Sequence, residues 1–498
     1  MKNMAFKRFF AVVVGVSMAL FTRAQIKPYN EPYRPQVHFS PREKWMNDPN
    51  GMVYYKGVYH LFFQHYPKDI VWGPMHWGHA VSKDLMHWKQ LPIALYPDSL
   101  GYIFSGSAVI DYKNTSGFGK NGQIPMVAIF THHNPILEKA GSDKFQNESI
   151  AYSLDEGNTW TKYPGNPVLK NPGIRDFRDP KVSWYARGNK WLMTLATKDR
   201  ISFYSSPNLK DWTKESEFGK SIGGHGGVWE CPDLFPLKLN DKTYWVLLVS
   251  INPGGPNGGS ATQYFIGDFD GKTFTPLSTK IKWIDYGPDD YAGATWANTG
   301  DRRIFLGWMS NWLYANQVPT KAWRNAMTVP RELALKQVGN DILLTSNPVK
   351  EIESISSKVV GADPLIRRHL PAQYILSFHL NKITDYSVLL SNEAGEELTI
   401  GYSKANNSYF IDRSKSGKID FSPEFVKPLS APRLLKSQSS GVMLVADASS
   451  VELFADGGLT NMSAVFFPRQ KFDRMQIKTN DGVAIKNVNI KSLRSIWK

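Results

Sequence analysis

Three acidic residues stand in matched local settings: Asp48 within Trp45-Met46-Asn47-Asp48-Pro49-Asn50-Gly51, Asp179 within Arg178-Asp179-Pro180, and Glu230 within Glu230-Cys231-Pro232. Each precedes a proline by one or two residues and is followed by a β-rich run. Proline fixes its own φ and pushes the residue before it towards extended geometry, so an acid placed there is held rigidly. Asp-Pro-Asn-Gly alone predicts a tight turn; the threefold recurrence predicts one shared site. Two carboxylates about 5 to 5.5 Å apart across a sugar ring are the equipment of retaining glycoside hydrolysis, one attacking the anomeric carbon and the other protonating the leaving oxygen. The first must be ionised and the second protonated at the working pH. Asp48, beside Asn47 and Asn50 in a turn with N–H groups to offer, is the better nucleophile. Glu230 follows Gly226-Gly227-Val228-Trp229, an apolar approach that raises a carboxyl pKa, and is the better acid. Asp179 has Arg178 beside it, which favours its charged form and suits it to bind sugar hydroxyls as positive charge develops. Such chemistry needs no cofactor.

Something must bring these acids together. Five apolar runs of similar design begin at Tyr59, Met126, Trp191, Tyr244 and Arg303, each too short for a helix and rich in β-formers. A second echo follows the first three: Ser82-x-x-Leu85-x-x-Trp88, Ser153 with Trp160, and Ser206-x-x-Leu209-x-x-Trp212. Units of this size, each able to make about four strands, predict a five-bladed β-propeller, although a large open sandwich would share the periodicity. Asp48, Asp179 and Glu230 precede the first, third and fourth runs by 11, 12 and 14 residues. That places all three on the innermost strand of a blade, facing the central channel. Strict alternation along a strand then points Cys231 away from the channel, as a small buried thiol without chemistry.

From about residue 355 the texture changes to alternating segments, Tyr374 to Leu380, Ser387 to Leu390, Leu398 to Tyr402, Val442 to Ala446, Val451 to Phe454, Ala464 to Phe467 and Met475 to Lys478. This predicts an antiparallel β-sandwich. The expected organisation is a signal peptide over 1–24, the propeller over 25–340, a linker over 341–354 and the sandwich over 355–498. In the leader, Lys2, Lys7 and Arg8 precede an apolar run from Phe9 to Phe21, and Thr22-Arg23-Ala24 supplies a cleavage site. The protein is therefore expected to be exported, to a periplasm or the medium, without a membrane span. Cys231 is the only cysteine, so there is neither an intramolecular disulfide nor a lipid-anchoring cysteine at the cleavage site.

The net charge of +15 includes Lys2, Lys7, Arg8 and Arg23 of the leader, and the remaining cations are scattered instead of striped, which argues against nucleic acid. His60, His65, His76, His79, His132 and His133 show no metal-ligand frame, and His132 and His133 are expected to line or support the cleft. Pro253-Gly254-Gly255-Pro256-Asn257-Gly258-Gly259 lacks a phosphate-loop lysine and reads as a loop beside the channel.

Trp45 to Gly51, Phe177-Arg178-Asp179-Pro180-Lys181 and Trp229-Glu230-Cys231-Pro232-Asp233 resemble the three signature motifs of glycoside hydrolase family 32, the invertases, levanases and inulinases. Phe104-Ser105-Gly106-Ser107, Trp72 to His79 and Gly307 to Trp312 extend the resemblance over the whole mature chain. It implies a propeller followed by a sandwich, and retaining hydrolysis of β-fructofuranosides. By motif, Asp48 resembles the nucleophile, Glu230 the acid/base and Asp179, with Arg178 beside it, the transition-state stabiliser. Asn47, Gln64, Trp72, Phe104, Ser105 and Trp296 resemble pocket residues, Phe104 standing where many members have Trp. The stretch Trp312 to Thr320 is more like exo-acting levanases and inulinases than sucrose invertases, implying release of terminal fructose from levan or inulin, with sucrose also cleaved. Transfer to an acceptor sugar, endo cleavage and a non-catalytic fructan binder are the alternatives.

Overall fold

In the computed structural model the described residues are 28–359, 365–480 and 482–497; the leader lies outside them. Five antiparallel sheets form the blades of a propeller, and two six-stranded sheets form a sandwich after it. The innermost strands are Lys44–Tyr55, Tyr102–Ile110, Phe177–Tyr185, Val228–Leu239 and Tyr291–Thr295. Each touches the next around the ring, and the fifth touches the first. Closure is reinforced by Trp323–Arg324, which runs parallel to the start of Lys44–Tyr55 with Lys44 opposite Trp323.

The five apolar runs fall on the second strands. Met126–His133 and Ile304–Met309 are buried at every residue, because neighbouring blades cover both faces of a second strand and leave no polar side. The serine and tryptophan echo is the turn between third and fourth strands. Trp88, Trp160 and Trp212 each donate Nε1–H to a carbonyl three residues back, that of Leu85, Gly157 or Leu209, at 3.0 to 3.1 Å. Just before them Ser82, Ser153 and Ser206 bond Asp84, Asp155 and Asn208. One turn, built three times, is what made the repeat visible.

The inner strands share a feature that alternation does not foresee. In each, two residues oppose a single residue of the second strand: 47–48, 104–105, 179–180, 231–232 and 292–293. These are β-bulges at one level of the ring. Asp179, Cys231 and Ala292 adopt φ of 65°, 45° and 52°, a left-handed conformation that costs a non-glycine residue on the order of 1 kcal/mol or more. The bulges cancel the two-residue alternation, so consecutive side chains face the same way. The tight turn expected at Asp48 is thus a bulge inside an unbroken strand, Lys44–Tyr55.

Asp341–Pro348 pairs along its length with Arg331–Val338 as the outer strand of the fifth blade, so the first half of the expected linker 341–354 is sheet, and Lys350–Ile355 is a 3-10 turn. The sandwich contains the seven expected strands, with Ala464 to Phe467 displaced to Thr460–Val465, and adds Ser356–Lys358, Ile366–Arg368, Ser408–Lys415, Leu429–Pro432 and Ile485–Leu493.

Propeller and sandwich are joined by buried charge. Arg331 bonds Asp285 and Asp290 of the propeller at 2.9 and 3.0 Å and Glu452 of the sandwich at 3.0 Å through Nε. His38 spans Asp447 and Glu452, 2.8 Å from each, and Arg413 of the sandwich reaches Asp289 at 2.9 Å. The glycine-rich loop adds neutral bonds: Asn257 exchanges hydrogen bonds with the backbone of Ser430.

Candidate active site

The bulges set Asp48, Asp179 and Glu230 at one end of the channel, where their side chains are linked. The Cys231 backbone N–H donates to Asp179 at 3.0 Å, and its thiol lies 3.5 Å from Asp48 and 3.6 Å from Asp179. Cys231 therefore sits at the centre of the cluster instead of between sheets, since its positive φ turns it to the same side as Glu230. Burial pushes its thiol up, so it stays protonated and donates. Arg178 donates Nη2–H to Glu230 at 3.0 Å and Nη1–H to Asp176 at 2.7 Å, and its Nε lies 3.9 Å from Asp179.

The electrostatics depart from expectation. Burial pushes the Asp48 carboxyl up, against bonds from Ser105 at 2.6 Å and from the Asn47 amide at 3.0 Å that favour its charge. Burial likewise raises Asp179, with Arg178 opposing. Asp48, Asp179 and Glu230 stand close together in a partly desolvated site, and the like charges repel one another. The neighbours expected of Glu230 are also different. The Trp229 indole turns into the core and bonds the Gly224 carbonyl at 2.8 Å, while Glu230 meets Arg178 and the Tyr291 hydroxyl, which donates to it.

Of the pocket candidates, Asn47 accepts from Trp45 Nε1 at 2.7 Å and holds Asp48, and Gln64 is buried with its amide on Asn50 at 2.7 Å. Phe104 stacks on His133 at 4.2 Å and meets the edge of Trp72 at 6.1 Å. Trp72 is exposed, and its backbone N–H donates to Asn316 at 2.9 Å, tying its loop to the stretch Trp312 to Thr320. Trp296 is elsewhere. It lies beyond the other end of the fifth inner strand, about five residues or roughly 16 Å from the level of Tyr291. There it is buried against Trp88, donating to the His60 carbonyl at 2.9 Å. A motif match fixes sequence position but not which end of a strand faces the site. Trp312, which sequence reasoning did not single out for the pocket, is half-buried against Trp45 and Trp308 in the cluster that Phe104 also borders.

Tyr291 was also missed, although it precedes the fifth run by 12 residues, the spacing that singled out the acids. Glu148 and Thr131 had no such signal. Glu148 accepts from Thr131 at 2.8 Å, and Thr131 accepts the Asp179 backbone N–H at 3.0 Å, bracing the third acid from the second blade.

The model of the glycosyl hydrolases family 32 N-terminal domain matches residues 38–348, and that of the family 32 C-terminal domain matches 353–494. The chain belongs to glycosyl hydrolase family 32. Among family members, the levanase of Bacillus subtilis is 45% identical, over 94% of this chain and 72% of that protein. The extracellular exo-inulinase of Aspergillus niger is 40% identical over 94% and 96%. The crystal structure of exo-inulinase from Aspergillus awamori superposes with a TM-score of 0.87 at 36% identity, over 94% of this chain and all of that one. The β-fructofuranosidase of Schwanniomyces occidentalis complexed with fructosyl-erythritol gives 0.83 at 32%, over 94% and 99%.

Proposed function

We infer that this family 32 enzyme is a retaining exo-β-fructosidase that releases terminal β-D-fructofuranosyl residues from levan and inulin and also cleaves sucrose. The observation that carries the reading is the convergence of three carboxylates, each from a different blade: Asp48 and Asp179 meet at the Cys231 thiol, and Asp179 and Glu230 at the Arg178 guanidinium. In this reading Asp48 attacks the anomeric carbon while Glu230 gives its proton to the leaving oxygen. Water, deprotonated by Glu230, then releases fructose from Asp48. Arg178 and Tyr291 stabilise the Glu230 carboxylate left once its proton has gone. Asp179, oriented by the Cys231 N–H, hydrogen-bonds ring hydroxyls and strengthens that contact as positive charge develops. Asn47, Gln64, Trp72, Phe104, Ser105 and Trp312 shape the pocket, and the Trp72 to Asn316 contact walls one side of it, as an enzyme that takes chain ends requires.

Export is part of the same proposal: the leader over 1–24 has a secretory pattern, the exo-inulinase relatives are described as extracellular, and no helix among the described residues is long and apolar enough to cross a membrane. The test is a chromatographic time course with levan, inulin and sucrose, with Asp48→Ala and Glu230→Ala alongside. Free fructose from the first minutes, slow shortening of the polymer and two inactive variants are expected. Early short oligomers would make the enzyme endo-acting, products longer than sucrose would make it a transferase, and binding without turnover would remove the catalytic reading.

A further inference from the structure

At the opposite end of the channel from the three acids is a second cavity of about 890 Å³. Its wall comes from the far ends of the inner strands of blades two to five and includes none of Asp48, Asp179 or Glu230. Lys181, Asp233 and Thr295 form its floor: Lys181 is 3.1 Å from Asp233, which accepts from Thr295 Oγ1 at 2.8 Å. Aromatic rings rim it. Trp184 and Tyr112 stand on one side, and Trp245, Tyr185 and Phe269 form a cluster on the other with centroids 5.2 to 6.1 Å apart. Tyr112 is 57% exposed and its hydroxyl accepts from Asn298 at 2.9 Å.

We propose that this cavity is a second carbohydrate-binding site that holds an internal stretch of the fructan chain whose end is cleaved at the other mouth, an assignment that rests on the fructan reading above. Furanose rings carry apolar C–H faces edged by hydroxyls, and aromatic faces beside a few amides and carboxylates match that surface. The ligand is neutral, because the charges that reach the cavity are already matched. Lys181 is held by Asp233, Lys113 donates to Asn189 at 2.8 Å, and Arg303 donates to the Gly300 and Arg302 carbonyls at 2.7 and 2.9 Å. Across the lining four cations, Lys113, Lys181, Arg187 and Arg303, stand against four carboxylates, Asp111, Asp233, Asp268 and Asp270, so no net positive charge selects a phosphate or a sulfated sugar. The mouths are separated by an inner strand, roughly 20 Å, so only a long chain engages both, and the second contact raises retention through effective concentration without touching the chemistry.

The test is affinity electrophoresis through gels containing levan, inulin or dextran. Tyr112→Ala and Tyr112→Ala/Trp184→Ala are compared in an Asp48→Ala background that does not digest the gel, with kinetics of the same rim substitutions in the otherwise native enzyme. Retardation by levan or inulin is expected to fall about tenfold in the double variant. KM for the polymer should rise while kcat/KM for sucrose stays unchanged, and dextran should not retard the protein. Retardation indifferent to both substitutions overturns the site, and equal retardation by dextran overturns the fructan assignment. Tyr112→Ala alone decides the matter if the double variant loses sucrose hydrolysis through misfolding, since truncating so exposed a ring leaves the core intact. Failure of the unaltered enzyme to cleave any fructan sinks the activity reading by itself, whatever the gels show.

Discussion

Two clusters of buried carboxylates lie in this molecule, one at the mouth of the propeller and one between propeller and sandwich, and similar burial leaves them in different states. Burial alone would raise Glu452, yet Arg331, His38 and the Val329 N–H at 2.9 Å hold it below the ordinary range. Burial works against a charged His38, yet Asp447 and Glu452 raise its pKa to about 9. At the active site Ser105, Asn47 and Arg178 do not fully offset burial, and Asp48 and Asp179 are raised. The difference is the number of donors per carboxylate. Glu452 is saturated by Arg331, His38 and the Val329 N–H, whereas the acids at the propeller mouth keep capacity for further donors. The interface is not uniform: burial also raises Asp290, which shares Arg331 with two other acids, and Asp289, although Arg413 bonds it.

The largest effect that would sharpen this contrast is loss of chemistry without loss of fold. Asp48→Asn should lower kcat on sucrose by on the order of 10⁴-fold or more. The same change should increase stability at neutral pH by roughly 0.5–2 kcal/mol, read by calorimetry, because it removes a charge that folding disfavours. A variant both inactive and less stable would break the comparison. Arg331→Ala should do the reverse, costing about 3–5 kcal/mol in denaturant unfolding by leaving Asp285, Asp290 and Glu452 unpaired in the interior, while protein that still folds keeps its kcat.

A smaller effect tests the interface proton. His38 is raised from an ordinary value of 6.5 to about 9, so its stabilising contribution is complete below pH 6.5 and is lost as pH rises through about 9. His38→Gln should flatten melting temperature against pH across that window; an unchanged slope would place the proton elsewhere. The smallest effect is Ser105→Ala. Its hydroxyl favours ionised Asp48, so its removal should move the acid limb of the kcat/KM profile to higher pH with little change in melting temperature.

The legible part of the fold was what repeats along the chain. The five second strands have central runs buried on both faces and therefore apolar, and the turns of Trp88, Trp160 and Trp212 use the same local bonds, so both left a mark in the sequence. The outer strand Asp341–Pro348 left none: only its middle, Leu343 to Ser346, is buried, and its polar end bonds the sandwich backbone at Gly457 and Gly458, so it lacks the long apolar run of a second strand. Of the site, Asp48, Asp179 and Glu230 were legible through their spacing to those runs. Tyr291 has the same spacing and was passed over for lacking a carboxylate.

The sequence alone determined the architecture and set the three acids on inner strands facing the channel, because periodicity and local proline geometry depend on near neighbours. Tertiary structure decided what surrounds them. The bulges turned Cys231 towards Asp48 and Asp179, the length of the fifth inner strand put Trp296 at the opposite end, and packing of neighbouring blades brought in Thr131 and Glu148. Donors contributed by strands 50 or more residues apart then gave the acids neighbours that local composition did not foresee, as the Arg178 hydrogen bond to Glu230 shows.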